Sequence, residues 1–226
     1  PTSPLRMRFS GSAARTEAAD KDVTEGITLT PPMEGTWKWE GDSVLVFSPR
    51  KDWPVGTKYT VQFADKFFPD HVRAKKSYAF ETEEFNASLE QAEFYIDPEN
   101  GKIKRVLATV VANYPIEADS IEKAVTIKPN ILSKSGTLEK RNYQYSISYD
   151  NLKRRAYIVS EPLGMPVDSV TMSITVKKGI RSPLGGEAMR EGLETSVNVP
   201  GSSDYIRVDE VVHDLVKTPE QRYDQV

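Results

Sequence analysis

The chain has 226 residues, of which 38% are hydrophobic and 28% charged, with no cysteine and a formal net charge of -3. That balance belongs to a folded chain, and at roughly 100–150 residues per domain it predicts about two domains. It excludes thiol nucleophiles, disulfide staples and zinc–thiolate sites, leaves too little charge to recruit nucleic acid by field alone, and contains no apolar run near the roughly 18 residues of a membrane span.

In chain order, Pro1-Thr2-Ser3-Pro4 reads as a linker without a signal peptide, as expected of a piece of a longer protein. Leu5, Met7 and Phe9 then alternate with Arg6, Arg8 and Ser10, the pattern of a half-buried strand. Residues 13–22 hold a short helical turn. Residues 27–30 form a strand that ends at Pro31. Gly41-Asp42 is a hairpin turn between Trp37-Lys38-Trp39 and Val44-Leu45-Val46-Phe47. Trp37 and Trp39 share one face because side chains alternate along a strand. Core packing is their expected role, since a small sandwich needs the area that indoles bury, and a carbohydrate-stacking face is the alternative. Trp53, just before Pro54, is placed to plug the end of the sandwich. Residues 59–63 and 78–81 close this first unit.

The second unit opens after Phe85-Asn86-Ala87-Ser88. Residues 92–96 form a strand, Asp97-Pro98-Glu99-Asn100-Gly101 a turn, and residues 105–112 a long apolar strand. Asp119 is the expected N-cap of a one-turn helix. Residues 125–129 form a strand ending in Pro129. Residues 143–149 alternate regularly and are assigned to an inserted hairpin spanning about 131–149. Residues 156–160, 170–174 and 195–200 complete the unit. Gly201-Ser202-Ser203 is a linker, and Tyr205-Ile206-Arg207-Val208 opens a new strand.

The two units repeat one phrase. Ile27-Thr28-Leu29-Thr30-Pro31 answers to Val125-Thr126-Ile127-Lys128-Pro129, and Val44-Leu45-Val46-Phe47-Ser48-Pro49 to Ala156-Tyr157-Ile158-Val159-Ser160-Glu161-Pro162. Trp53-Pro54-Val55-Gly56 answers to Met165-Pro166-Val167-Asp168, and each of these turns launches a strand. The offset of roughly 100–115 residues is the size of one small domain. Many short strands between Pro, Gly and Asx turns predict an all-β fold of tandem antiparallel β-sandwiches. The divisions are 1–87, 88–201 and a truncated third unit at 202–226.

Motifs that carry catalysis or metal binding are missing from the sequence. His71 and His213 lie in different units, and neither has a partner at metal-ligand spacing. No nucleophile elbow or phosphate loop is present. Ser-x-x-Lys at Ser48 and Ser120 lacks its companion motifs, and Asp97 to Gly101 lacks the remaining ligands of a calcium loop. No catalytic residue, metal ligand or cofactor is therefore assigned. The candidate binding surface is Trp37 and Trp39 together with Gly179, Arg181, Gly185 and Gly186 of the Gly-rich loop between two strands of the second unit.

The first unit's phrases, Phe9-Ser10, Gly35-Thr36-Trp37-Lys38-Trp39, Val44 to Pro49 and Trp53-Pro54-Val55-Gly56-Thr57-Lys58-Tyr59-Thr60-Val61, resemble the bacterial Ig-like domain near the N-terminus of bacterial alpha-2-macroglobulin-like proteins. The second unit looks like a degenerate copy, with Val111-Ala112-Asn113-Tyr114-Pro115-Ile116 where the family has a Phe-Ser-Pro-Val phrase. The tail from Tyr205 through Gln221 looks like the start of the next macroglobulin domain. The resemblance implies a non-catalytic N-terminal scaffold of a protease-trapping protein in the periplasm or cell envelope, anchored as a lipoprotein through a segment upstream. Its partners would be the other domains of the same chain and the trapped proteases, with neither nucleic acid nor direct membrane insertion. The family's Cys-x-Glu-Gln thioester cannot lie in a cysteine-free segment. The rival reading is an adhesion or glycan-binding module of a cell-surface protein.

Overall fold

The computed structural model describes residues 3–130 and 138–204, together with the backbone of two short strands at 215–217 and 223–225. The first sandwich contains β1 (Leu5–Arg8), β2 (Asp22–Val23), β3 (Ile27–Thr30), β4 (Gly35–Glu40), β5 (Val44–Pro49), β6 (Lys58–Phe63) and β7 (Ser77–Glu81). One sheet has the order β2-β4-β5-β1 and the other β3-β6-β7, with every pairing antiparallel. Alternation sets which side chains are buried. Trp37 and Trp39 of β4 point inward while Thr36, Lys38 and Glu40 face solvent. Tyr59, Val61 and Phe63 of β6 come from the opposite sheet. In register, Trp37 lies across from Phe47 and Trp39 from Leu45. The Gly41-Asp42 hairpin forms as expected, and the Asp42 carbonyl accepts the Ala13 and Ala14 amides at 2.7 and 2.8 Å.

The second sandwich contains β8 (Ala87–Ile96), β9 (Lys104–Ala112), α1 (Ala118–Glu122), β10 (Val125–Pro129), β11 (Tyr145–Tyr149), β12 (Arg155–Ser160), β13 (Val170–Val176) and β14 (Leu193–Val199). Its sheets run β11-β12-β9-β8 and β10-β13-β14, again antiparallel. Val106, Val110, Ile127, Ile158, Met172, Ile174 and Val176 fill the space between them. Asp97 turns the chain between β8 and β9 by accepting the Glu99 and Asn100 amides at 2.9 and 3.1 Å. Beyond the second sandwich, β15 (Leu215–Lys217) pairs with β16 (Tyr223–Gln225).

The repeat is topological. The β4-β5-β1 order of the first sandwich recurs as β11-β12-β9, and β3-β6-β7 recurs as β10-β13-β14. The 3-10 turn at Thr16–Ala18 and helix α1 occupy matching places, each between the first shared strand and the strand that follows it. Two expectations change. Tyr145–Tyr149 belongs to no inserted hairpin, because it is β11, the counterpart of β4. The extra length lies in the connection itself, since residues 31–34 link β3 to β4 whereas 130–144 link β10 to β11. Each sandwich also has one strand without a counterpart, β2 outside β4 in the first and β8 outside β9 in the second. The strand β8 starts at Ala87, and residues 82–86 connect it to β7. Asp119 is likewise not the N-cap. Glu117 holds that position with extended backbone, and Asp119 is inside the helix. Tyr205 to Val208 and His213 lie outside the described residues. Among the described residues, no helix is long and apolar enough to cross a membrane.

Candidate functional site: the joint between the sandwiches

The predicted surface residues part company in the structure. Trp37 and Trp39 are 8% and 3% exposed and belong to an aromatic core, so they form no stacking face for a ligand. Trp37 packs on Phe47 at 4.9 Å between ring centroids, and Phe47 packs on Trp53 at 5.7 Å. Trp53 meets Tyr59 and Phe80 edge-on at 5.0 and 5.6 Å. It closes the end of the sandwich and donates its indole N–H to the Ser3 carbonyl at 2.8 Å. Burying an indole requires such a partner for its N–H. The two tryptophans of β4 point inward because their strand presents that face to β3-β6-β7.

The Gly-rich loop between β13 and β14 has a different role from the one expected of a free binding loop. It reaches across to the first sandwich. Val55, in the turn before β6, is only 2% exposed and joins the apolar cluster of the second sandwich with Phe85 and Ala87. Its amide is 3.4 Å from the Leu184 carbonyl, a long and therefore weak hydrogen bond. Gly186 lies directly against Val55. It has φ +80, and a Cβ there would sit 2.5 Å from Val55 Cγ1 and 2.7 Å from its Cβ. Only glycine meets both demands, a left-handed backbone and the absence of a side chain at the contact. Gly179 and Gly185 serve the loop's own path and have open space around them. Arg181 turns away from the joint to form an ion pair with Glu117 of its own sandwich, while its amide donates to Ser120 Oγ at 3.3 Å.

Polar contacts lock the linker beneath this apolar contact. Thr82 Oγ1 donates to the Pro54 carbonyl at 2.6 Å and accepts the Thr57 amide at 2.8 Å. The Gly56 amide donates to the Glu83 carbonyl at 2.9 Å. From the second sandwich, the Asn113 side chain spans the linker: Nδ2 donates to the Glu84 carbonyl at 2.8 Å and Oδ1 accepts the Asn86 amide at 2.9 Å. Tyr114, beside Thr82, has its phenol pKa pushed up by burial first and by the Glu83 charge second. Two shallow grooves flank the joint. One is lined by Glu83, Glu84, Asn113, Glu187 and Arg190. The other is lined by Pro4, Trp53, Phe80, Tyr114 and Arg154.

This arrangement can hold two bodies together. Among the described residues, no group of three His, Cys, Asp or Glu side chains is placed to hold a metal ion. His71 is exposed on a loop of the first sandwich. Sequence reasoning singled out Gly186 but missed Val55, Thr82 and Asn113. The signal available for Val55 was its place in the repeated Pro-Val turn; nothing local marked the other two.

Two antiparallel β-sandwiches of related strand order, in contact where Val55 meets Gly186, define a tandem β-sandwich module. The bacterial Ig domain family matches residues 2–66. The alpha-2-macroglobulin homolog of Yersinia pestis is 31% identical over 200 residues, which is 87% of this chain and 10% of that protein. The alpha-2-macroglobulin of Pasteurella multocida (strain Pm70) is 25% identical over 205 residues, 87% of this chain and 11% of that protein. That of Rickettsia conorii (strain ATCC VR-613 / Malish 7) is 21% identical over 223 residues, 91% of this chain and 11% of that protein. Over most of its length the chain is a homologue of bacterial alpha-2-macroglobulins, and it spans about a tenth of the length of these relatives.

Proposed function

We propose that this chain is a non-catalytic scaffold segment of a bacterial alpha-2-macroglobulin-like, protease-trapping protein of the periplasm or cell envelope. The observation that carries the reading is the joint. Val55 is buried under the second sandwich, and Gly186 leaves it the room to be there. A joint in which apolar burial and linker hydrogen bonds coincide makes two sandwiches behave as one stiff strut. Flexibly tethered domains would otherwise reorient freely. In a trap that must keep its reactive parts at set positions, such a strut transmits position without taking part in the chemistry. The homology to alpha-2-macroglobulins supports the proteases as targets and the other domains of the parent protein as neighbours.

The test compares this chain, the parent protein, and the parent protein carrying Gly186→Val, against a panel of endopeptidases and small hydrolase substrates. The expected result is that this chain alone turns over nothing, the parent protein inhibits, and the loosened parent protein inhibits less. Turnover by this chain, or undiminished inhibition by the Gly186→Val protein, sinks the proposal. Saturable quenching of tryptophan fluorescence by a glycan would point to the adhesion reading instead.

A further inference from the structure

The turn that seats the joint occurs twice, and its two valines have opposite surroundings. Val55 is 2% exposed, whereas Val167, at the same place before β13, is 54% exposed. Around both, a hydroxyl of the outgoing linker donates to a carbonyl of the turn, Pro54 in one and Val167 in the other. In the first sandwich the Thr82 hydroxyl donates to the Pro54 carbonyl. In the second, the Ser203 hydroxyl and amide donate to the Val167 carbonyl at 2.8 and 3.1 Å, and the Ser202 amide donates to the Pro166 carbonyl at 2.8 Å. Gly201 makes this approach possible, because a Cβ there would strike the Val167 carbonyl and the Asp168 backbone. Asp204 then fixes the exit, its carboxylate accepting Ser169 Oγ at 2.6 Å and the Gly201 amide at 2.7 Å. Those bonds hold its pKa below the usual range, with the Ser169 bond the larger cause.

We infer that the Pro166–Val167 turn is the docking seat for the domain that follows Asp204 in the chain, one of whose loops covers Val167 as the 178–186 loop covers Val55. The occupant is set by connection. The chain leaves within a few residues of the turn, so the next domain is presented to Val167 at the high effective concentration of a short tether. An exposed valine in a turn whose twin is sealed is an apolar contact awaiting its cover, and burying it stabilises the joint by removing apolar area from water. The inference rests on the scaffold reading above. It extends the strut from two bodies to three.

The test is hydroxyl-radical footprinting with residue-level mass spectrometry, on this chain and on the parent protein carrying the next domain. Val167 is expected to be labelled freely in this chain and about tenfold or more slower in the parent protein. Val55 is expected to be protected in both. V167C in this otherwise cysteine-free chain, and in the parent protein with its labelled peptide read by mass, gives the same comparison with a maleimide. Equal labelling of Val167 in both proteins overturns the inference. So does protection that appears in this chain alone and grows with its concentration, which would make a second copy the occupant. Free labelling of Val55 instead strikes at the scaffold reading, so the two failures are told apart.

Discussion

The two sandwiches share the order of their six common strands and differ in what fills it. The first is held by rings: Trp37, Phe47, Trp53 and Tyr59 pack in series, Trp39 and Phe63 both pack on Phe67, and every close ring pair among the described residues lies between Phe9 and Phe80. The second is held by aliphatic side chains, led by Ile121, Ile127, Ile158, Met172, Ile174 and Ile180. The same topology therefore tolerates two unrelated packings. Cores accept extensive exchange of hydrophobic residues while total volume and strand alternation are kept. The turn-and-strand grammar is under tighter constraint than the composition of the core. The joint follows the same logic, because the Pro-Val turn is present in both copies and only its cover differs.

The largest expected effect separates the two cores. Phe47→Ala removes a ring that touches both Trp37 and Trp53, and costs the first sandwich about 3–5 kcal/mol. All three tryptophans lie in the first sandwich, so intrinsic fluorescence follows that body and far-ultraviolet circular dichroism follows both. In urea the fluorescence midpoint is expected to fall well ahead of the dichroism midpoint. Coincident transitions would mean that the joint makes the pair a single cooperative unit.

The next effect concerns the joint. Gly186→Ala meets both a left-handed backbone and Val55, and is expected to cost about 1–3 kcal/mol. Gly185→Ala has a left-handed backbone but open space, so it costs about 1 kcal/mol and leaves the joint closed. Limited proteolysis in the linker at 82–86 distinguishes them, with cleavage accelerated only by the Gly186 change. Val55→Ala is expected to cost about 2 kcal/mol. Val167→Ala, at the equivalent exposed position, is expected to stay within about 0.5 kcal/mol in this chain. Equal costs at the two valines would break the comparison of the turns.

The alkaline limit bears on the second sandwich through Tyr149. Burial first, and the Glu122 charge second, push the Tyr149 phenol up to about 12 from an ordinary 10. A group whose folded pKa is raised keeps its stabilising effect below its unfolded pKa and loses it as pH rises through the folded one. The second sandwich is therefore expected to lose stability between about pH 10 and pH 12, and Tyr149→Phe to flatten that loss, as read by dichroism melts across the window. The smallest effect is that of Arg181→Ala. Its ion pair with Glu117 is largely solvated and worth about 0–1 kcal/mol, too little to shift a melting curve by more than a few degrees.

Several particulars show how far the sequence reaches. Alternation placed Trp37 and Trp39 on one face of β4, which was correct, but a period of two does not say which face is the inside. That was decided when β3-β6-β7 covered one side of the sheet. The alternation of Tyr145 to Tyr149 was legible as a strand. Its equivalence to β4 was not, because partners across a sheet leave no mark on local periodicity and the longer 130–144 connection hid the correspondence. Of the joint, the sequence offered the repeated Pro-Val turn and an unusual Gly-rich loop.

Strand alternation, punctuating turns, the duplicated phrase and the lack of cysteine chemistry are legible in the residues alone, since each is a property of short stretches, of their recurrence, or of the composition as a whole. The burial of Trp37 and Trp39, the contact of Gly186 with Val55, and the sealing of Val55 while Val167 stands open arise from the packed fold. Those outcomes depend on which surfaces meet across long stretches of chain. The burial of apolar area that drives such meetings is non-directional, and it is settled only when the whole fold has formed.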